Sequence, residues 1–250
     1  MSPPAPLLLV MLPGIDGTGR LLARFAAAAS GAVEPRILSY PPDRVLGYAA
    51  LEALVRRELP PDRPFALLGE SFGGPLALRL AAARPPGLRA VVLASSFHRR
   101  PAAGWLRALR PFAPAFFNLP LPAHAVRLLL GGGDAPADVV REVQDAVASV
   151  KGPVMAARAA EALAVDAGEV VRGLHVPLLF LGGTDDRLLR TALPIEIRML
   201  RPDAEIRMLA APHLLLLRRP RESAREVEAF LRRRSLLGAS APAADGTRSA

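Results

Sequence analysis

The segment Leu67-Leu68-Gly69-Glu70-Ser71-Phe72-Gly73-Gly74 sets a serine in the pattern G-x-S-x-G, between an apolar run and a stretch of helical spacing. A strand that turns into a helix so sharply strains the serine backbone and leaves no room for side chains two positions before and after it. Glycine is therefore needed at Gly69 and Gly73. Such a turn lifts Ser71 clear of a sheet and sets it at a helix N-terminus, where developing negative charge is favoured. The chemistry that follows is nucleophilic attack.

A serine is a weak nucleophile until a base takes its proton, and the base must be held in one tautomer by a carboxylate. The chain has four histidines: His98, His124, His175 and His213. Where a serine rises at such an elbow, the chain order is serine, acid, histidine, with the base after the last strand. His213 fits, because Glu205 to Leu209 reads as that strand and Ala210-Ala211-Pro212 as the loop leaving it. His175 precedes a strand at the wrong edge of the sheet, His124 falls in an insertion, and His98, just past a strand end, is expected to border the pocket without being the base. The acid is sought in Gly183-Thr184-Asp185-Asp186-Arg187-Leu188-Leu189, where Asp185 and Asp186 compete; no carboxylate follows Ser95-Ser96-Phe97 closely.

Leu12-Pro13-Gly14-Ile15-Asp16-Gly17-Thr18-Gly19 follows the first apolar run. Its glycines match neither the phosphate loop G-x-x-x-x-G-K-[ST] nor the dinucleotide spacing G-x-G-x-x-G. Beside an elbow, such a loop supplies one backbone N–H to a tetrahedral oxyanion and the residue after the nucleophile supplies the other. Ile15 and Phe72 are the expected donors. Asp16 is read either as turn chemistry before a glycine or as a group that orients the loop or touches substrate.

These residues need a sheet to hold them. The apolar runs Leu7 to Leu12, Phe65 to Leu68, Ala90 to Ala94 and Pro177 to Leu181 suit strands buried on both faces, and Arg36 to Tyr40 and Glu205 to Leu209 are weaker candidates. Between them, Arg20 to Ala29, Tyr48 to Leu59, Phe72 to Ala83 and Arg221 to Arg233 carry helical spacing. The alternation predicts an α/β fold with a mainly parallel, doubly wound sheet of about six strands. It breaks over residues 99–173, where Pro-rich and helical text reads as an inserted helical cap on a core of residues 1–98 and 174–234. Trp105, Leu106, Phe112, Phe116 and Phe117 either line a lid over the pocket or pack it onto the core, and Trp105 and Phe116 are the candidate substrate contacts. Residues 235–250 hold little that can pack and are expected to form a disordered tail.

Composition narrows the class. With 51% hydrophobic residues in 250, one well-buried core is within reach. The net charge of +9 comes almost wholly from arginine spread along the chain, and aromatic residues are only 5%, which argues against nucleic-acid binding. Without cysteine there is no disulfide, thiolate metal site or cysteine nucleophile, and neither a metal nor a cofactor is expected. The run Pro6 to Leu12 is too short to span a bilayer and lacks a basic leader, so the simplest reading is a cytoplasmic enzyme acting on a small molecule.

Together, the elbow at Gly69 to Gly74, the Gly-Thr-Asp-Asp-Arg-Leu-Leu stretch and Ala-Pro-His followed by leucines resemble the α/β-hydrolase superfamily over nearly all of residues 6–234. In that family a glycine-x-x-aspartate-x-aliphatic arrangement carries the acid, and the match of Gly183 to Leu188 implies Asp186. Pro13-Gly14 stands where many members have His-Gly, similar to the loop of some esterase-like and acyltransferase-like members. The resemblance implies hydrolysis of an ester or thioester through an acyl-enzyme on Ser71. Acyl transfer by the same residues and a catalytically silent binding protein are the alternatives.

Overall fold

The computed structural model describes residues 5–101 and 119–237 of the chain. Six strands, β1 (Leu7–Leu12), β2 (Val33–Ile37), β3 (Phe65–Glu70), β4 (Leu88–Ala94), β5 (Leu178–Gly183) and β6 (Glu205–Leu209), form one sheet in the order β2-β1-β3-β4-β5-β6. Every neighbouring pair is parallel. All strands therefore end on one side of the sheet, where the loops after them converge.

Alternation along the strands divides the core into two layers. Leu8, Val10, Leu12, Leu67, Val91, Leu93 and Phe180 face one side, packed by α2 (Tyr48–Arg56), α3 (Gly73–Ala82) and, further along the chain, the Leu193–Leu200 helix. Leu9, Met11, Leu68, Val92, Leu179 and Leu181 face the other, against α1 (Ala23–Ala28) and the C-terminal Pro220–Arg233 helix. A side chain as buried as Leu67 contributes roughly 2 kcal/mol through removal from water, and truncating it to alanine costs about 2–5 kcal/mol.

The edge strands differ. β2 alternates buried and exposed positions and carries Pro35, whose missing N–H is tolerated because β2 lies at the sheet edge. The strand expected at Arg36 to Tyr40 is therefore shifted upstream, and Leu38 to Tyr40 instead runs under the loop after β1, where the Tyr40 N–H donates to the Gly17 carbonyl at 2.7 Å.

The connection from β4 to β5 contains α4 (Ala137–Ala148), α5 (Gly152–Ala162) and α6 (Gly168–Arg172). Val139, Val140 and Val143 of α4 pack on Leu21, Leu214 and Leu217, and Val171 of α6 joins the sheet core. After β5 come α7 (Leu193–Leu200), α8 (Leu215–Arg218) and α9 (Pro220–Arg233). Packing continues past Arg234, because Leu236 and Leu237 join the α9 side of the core. No helix among the described residues is long and apolar enough to cross a membrane.

Candidate active site

The G-x-S-x-G segment is the turn from β3 into α3, and Ser71 has a φ of 47°. A left-handed serine costs about 1–2 kcal/mol, which the surrounding bonds must offset. Its N–H donates to the Ala94 carbonyl at 3.0 Å, and its own carbonyl accepts from the Gly74 N–H at 3.0 Å and from the Ser96 hydroxyl at 2.6 Å. A Cβ at Gly69 would overlap the Gly73 carbonyl and come within 2.6 Å of the Gly74 Cα, while one at Gly73 would strike the Leu12 carbonyl. The two glycines thus bring β3 and α3 together beside the end of β1.

His213 follows β6 and is buried. Its Nδ1 lies 2.8 Å from Asp186 Oδ2 and its Nε2 lies 3.0 Å from Ser71 Oγ. A carboxylate only accepts, so the arrangement is Nδ1–H to Asp186, with Nε2 free to take the serine proton. The second oxygen of Asp186 accepts the Leu188 and Leu189 N–H groups at 2.9 and 3.0 Å. Burial pushes the Asp186 carboxyl up, but the bonds from His213, Leu189 and Leu188 outweigh it and hold the group below its ordinary range. Asp185 is exposed. Its backbone N–H, at 3.0 Å from the Ala211 carbonyl, ties the acid loop to the histidine loop. Gly183 permits that approach, since a Cβ there would strike Ala211.

In the loop after β1, the Gly17 N–H donates to the Gly14 carbonyl at 3.0 Å. The N–H and C=O of a trans peptide are antiparallel, so the Ile15 N–H points away from Gly17. Neither this group nor the Phe72 N–H donates to another backbone group among the described residues. Phe72 is itself fixed: Tyr48 stacks on its ring with centroids 4.5 Å apart, and the Tyr48 hydroxyl donates to its carbonyl at 3.0 Å. The buried Asp16 carboxylate turns into its own loop and accepts from the Thr18 N–H at 2.9 Å and from the Thr18 hydroxyl. That is the turn-chemistry alternative.

Ser71, His213 and Asp186 are brought together, with Ile15 and Phe72 on the two adjoining loops. His98 goes elsewhere: it is buried against α7, with Nε2 3.8 Å from Glu196. Burial draws its pKa down. Trp105 and Phe116 lie outside the described residues. Beside Asp186 is a cavity of about 90 Å³ bordered by Ser95, Phe180, Thr184, Leu189 and Arg190.

Sequence reasoning missed four residues that brace this site: Ser96, Tyr48, Glu70 and Arg158. Only Arg158 had a legible signal, as a cation spaced i+4 and i+3 from Val154 and Met155 on the apolar face of α5. Glu70 is buried beside the nucleophile with Oε1 unpartnered among the described residues. Burial, aided by the Asp16 charge, raises its carboxyl to about 8 against the pull of the Gly14 N–H.

In comparisons with known proteins, the Alpha/beta hydrolase family matches residues 9–226. Similar solved structures include a lipase-esterase related protein from Clostridium acetobutylicum, with TM-score 0.74 and 15% identity over 90% of this chain and 95% of that one. The enol-lactonase of Burkholderia xenovorans LB400 has TM-score 0.74 and 18% identity over 91% of this chain and 92% of that one. A carboxylesterase structure from the thaumarchaeon Nitrososphaera gargenis has TM-score 0.75 and 14% identity, covering 94% and 93%. In sequence, 237 residues are 29% identical to the polyketide synthase ThaQ of Burkholderia thailandensis, covering 84% of this chain and 11% of that protein. The chain thus spans a small part of that relative's length.

Proposed function

The chain belongs to the alpha/beta hydrolase family, and from that premise we propose that it cleaves a carboxylic ester or thioester through an acyl-enzyme on Ser71. The observation that carries this reading is the pair of contacts, 3.0 Å from Ser71 Oγ to His213 Nε2 and 2.8 Å from His213 Nδ1 to Asp186. His213 takes the serine proton as Oγ attacks the acyl carbonyl. The carbonyl oxygen, now an anion, accepts from the Ile15 and Phe72 N–H groups. His213 returns its proton to the departing alkoxide or thiolate, and the acyl group stays on Ser71. Water then attacks that ester while His213 takes its proton, and collapse of the second tetrahedral species releases the acid as His213 returns that proton to Oγ and so restores Ser71. Asp186 stays ionised throughout, held so by its three donors.

Hydrolysis of short-chain p-nitrophenyl esters and of acyl thioesters tests this. Ser71→Ala is expected to lower kcat by roughly 10⁴-fold or more, and a Ser71→Ala enzyme that retains full activity removes the proposed nucleophile. The likeness to part of a polyketide synthase favours including thioesters, and it supports a second reading, acyl transfer. An alcohol or thiol replacing water intercepts the same acyl-enzyme, and added alcohols would then yield new esters.

A further inference from the structure

Arg158 is buried at 1% exposure, yet among the described residues no carboxylate accepts a hydrogen bond from it. Its Nη1 donates to the carbonyls of Ile15 at 2.9 Å and Asp16 at 2.8 Å, and its Nη2 donates to the carbonyl of Pro41 at 3.0 Å. The guanidinium also lies 5.5 Å from the centre of the Tyr40 ring. Burying a cation is costly unless its donors are used; here Nε has no partner among the described residues, and every hydrogen bond that the guanidinium makes goes to main chain. What this side chain fixes is therefore the path of a loop.

We propose that Arg158 is the positioning residue of the oxyanion hole, aiming the Ile15 N–H from the insertion that carries α5; this rests on the serine-hydrolase reading above. The connection runs through two peptide planes. Arg158 holds the Asp16 carbonyl, and the same rigid peptide carries the Gly17 N–H. That N–H donates to the Gly14 carbonyl at 3.0 Å, and the peptide of Gly14 carries the Ile15 N–H on its opposite edge. Rotation of the 16–17 plane would break the Gly17 bond and release the 14–15 plane. Gly17 makes the approach possible: with φ 69°, a Cβ would lie 2.5 Å from Arg158 Nη1 and 2.7 Å from the Tyr40 ring. The same helix helps seat the Ile15 side chain, which packs against the cluster of Val154 and Met155 from the helix and Val150 just before it. One face of α5 thus holds both the side chain and the carbonyl of the residue whose N–H is the donor. The charge of Arg158 also opposes that of Asp16, which otherwise stands unbalanced on a loop that must receive an anion.

The test uses the full chain as wild type, Arg158→Met and Arg158→Lys, each first measured for thermal unfolding and for labelling by a fluorophosphonate. Steady-state hydrolysis of p-nitrophenyl butyrate is then compared with inhibition by an alkylboronic acid, which forms a tetrahedral adduct on Ser71. For Arg158→Met, kcat is expected to fall by roughly 10²-fold, the scale of one lost oxyanion donor. KM should stay within about threefold, and boronate affinity should fall in parallel with kcat. Arg158→Lys keeps the charge but not the planar fork, and should recover only part of the loss. It also serves if the methionine variant does not fold. A folded Arg158→Met with wild-type kcat, a loss confined to KM, or boronate affinity that does not follow kcat would overturn the proposal, as would full kcat in Arg158→Lys. If wild type itself resists the fluorophosphonate, the serine-hydrolase reading fails; if wild type labels and the variants are unaffected, only the role of Arg158 fails.

Discussion

Asp186, half-buried in the loop after β5, and Glu70, fully buried at the end of β3, are two carboxylates that each stand beside a residue of the proposed mechanism. Asp186 accepts from the His213 ring and from two backbone N–H groups, and these hold it ionised despite burial. Glu70 adjoins Ser71 itself, but its Oε1 has no partner among the described residues and the Asp16 charge lies nearby, so its pKa climbs to about 8. The contrast teaches that burial alone does not decide the state of an acid. Donors aimed at the group and charges beside it weigh against or with desolvation, which is the largest cause at Glu70.

The largest expected effect comes from removing the charge that the donors protect. Asp186→Asn should lower kcat by roughly 10³–10⁴-fold, because the amide no longer selects the His213 tautomer or stabilises its protonated form. Retained activity within about tenfold of wild type, in the p-nitrophenyl ester assay, would mean that another group does this work.

Glu70→Gln sharpens the other side of the comparison. The folded pKa of about 8 lies above the ordinary 4.5, so across that window the folded protein holds a proton that the unfolded chain has lost. Stability therefore falls as pH rises from about 4.5 to 8 and then levels. The glutamine variant lacks this slope. Its unfolding free energy relative to wild type, read from melting curves, should climb between pH 5 and pH 8 by on the order of a few kcal/mol at most. A pH-independent difference between the two melting curves would show that Glu70 does not titrate in this range. Activity should follow the same group: wild type is expected to lose several-fold in kcat between pH 7 and 9 as a buried negative charge develops beside the oxyanion loop, and Glu70→Gln should lose less.

The smallest effect is expected at the exposed neighbour. Asp185→Asn should leave kcat within about twofold, since the tie from this residue to Ala211 is made by its backbone N–H. A loss comparable to that of Asp186→Asn would reverse the assignment of the acid.

Local pattern made the main elements legible. Apolar runs bounded by turns located the central strands to within a few residues, and the G-x-S-x-G spacing marked the tight β3 to α3 turn because glycine is the only residue that fits there. β2 was misplaced because Pro35 reads as a breaker unless the strand is known to be at an edge, which only the sheet order reveals. His98 illustrates the same limit. Proximity to a strand end suggested the pocket, but the side chain packs toward Glu196.

By itself, then, the chain's text determined residue types, local periodicity and the places where backbone must bend, since each depends on neighbours a few positions away. Tertiary structure alone decided which buried charges meet. Arg158 reaches carbonyls 142 and 143 positions earlier in the chain, and the unequal surroundings of Asp186 and Glu70 arise from loops gathered out of different strands. Hydrogen bonds and desolvation act over a few ångströms of space, and no spacing along a chain encodes that distance directly.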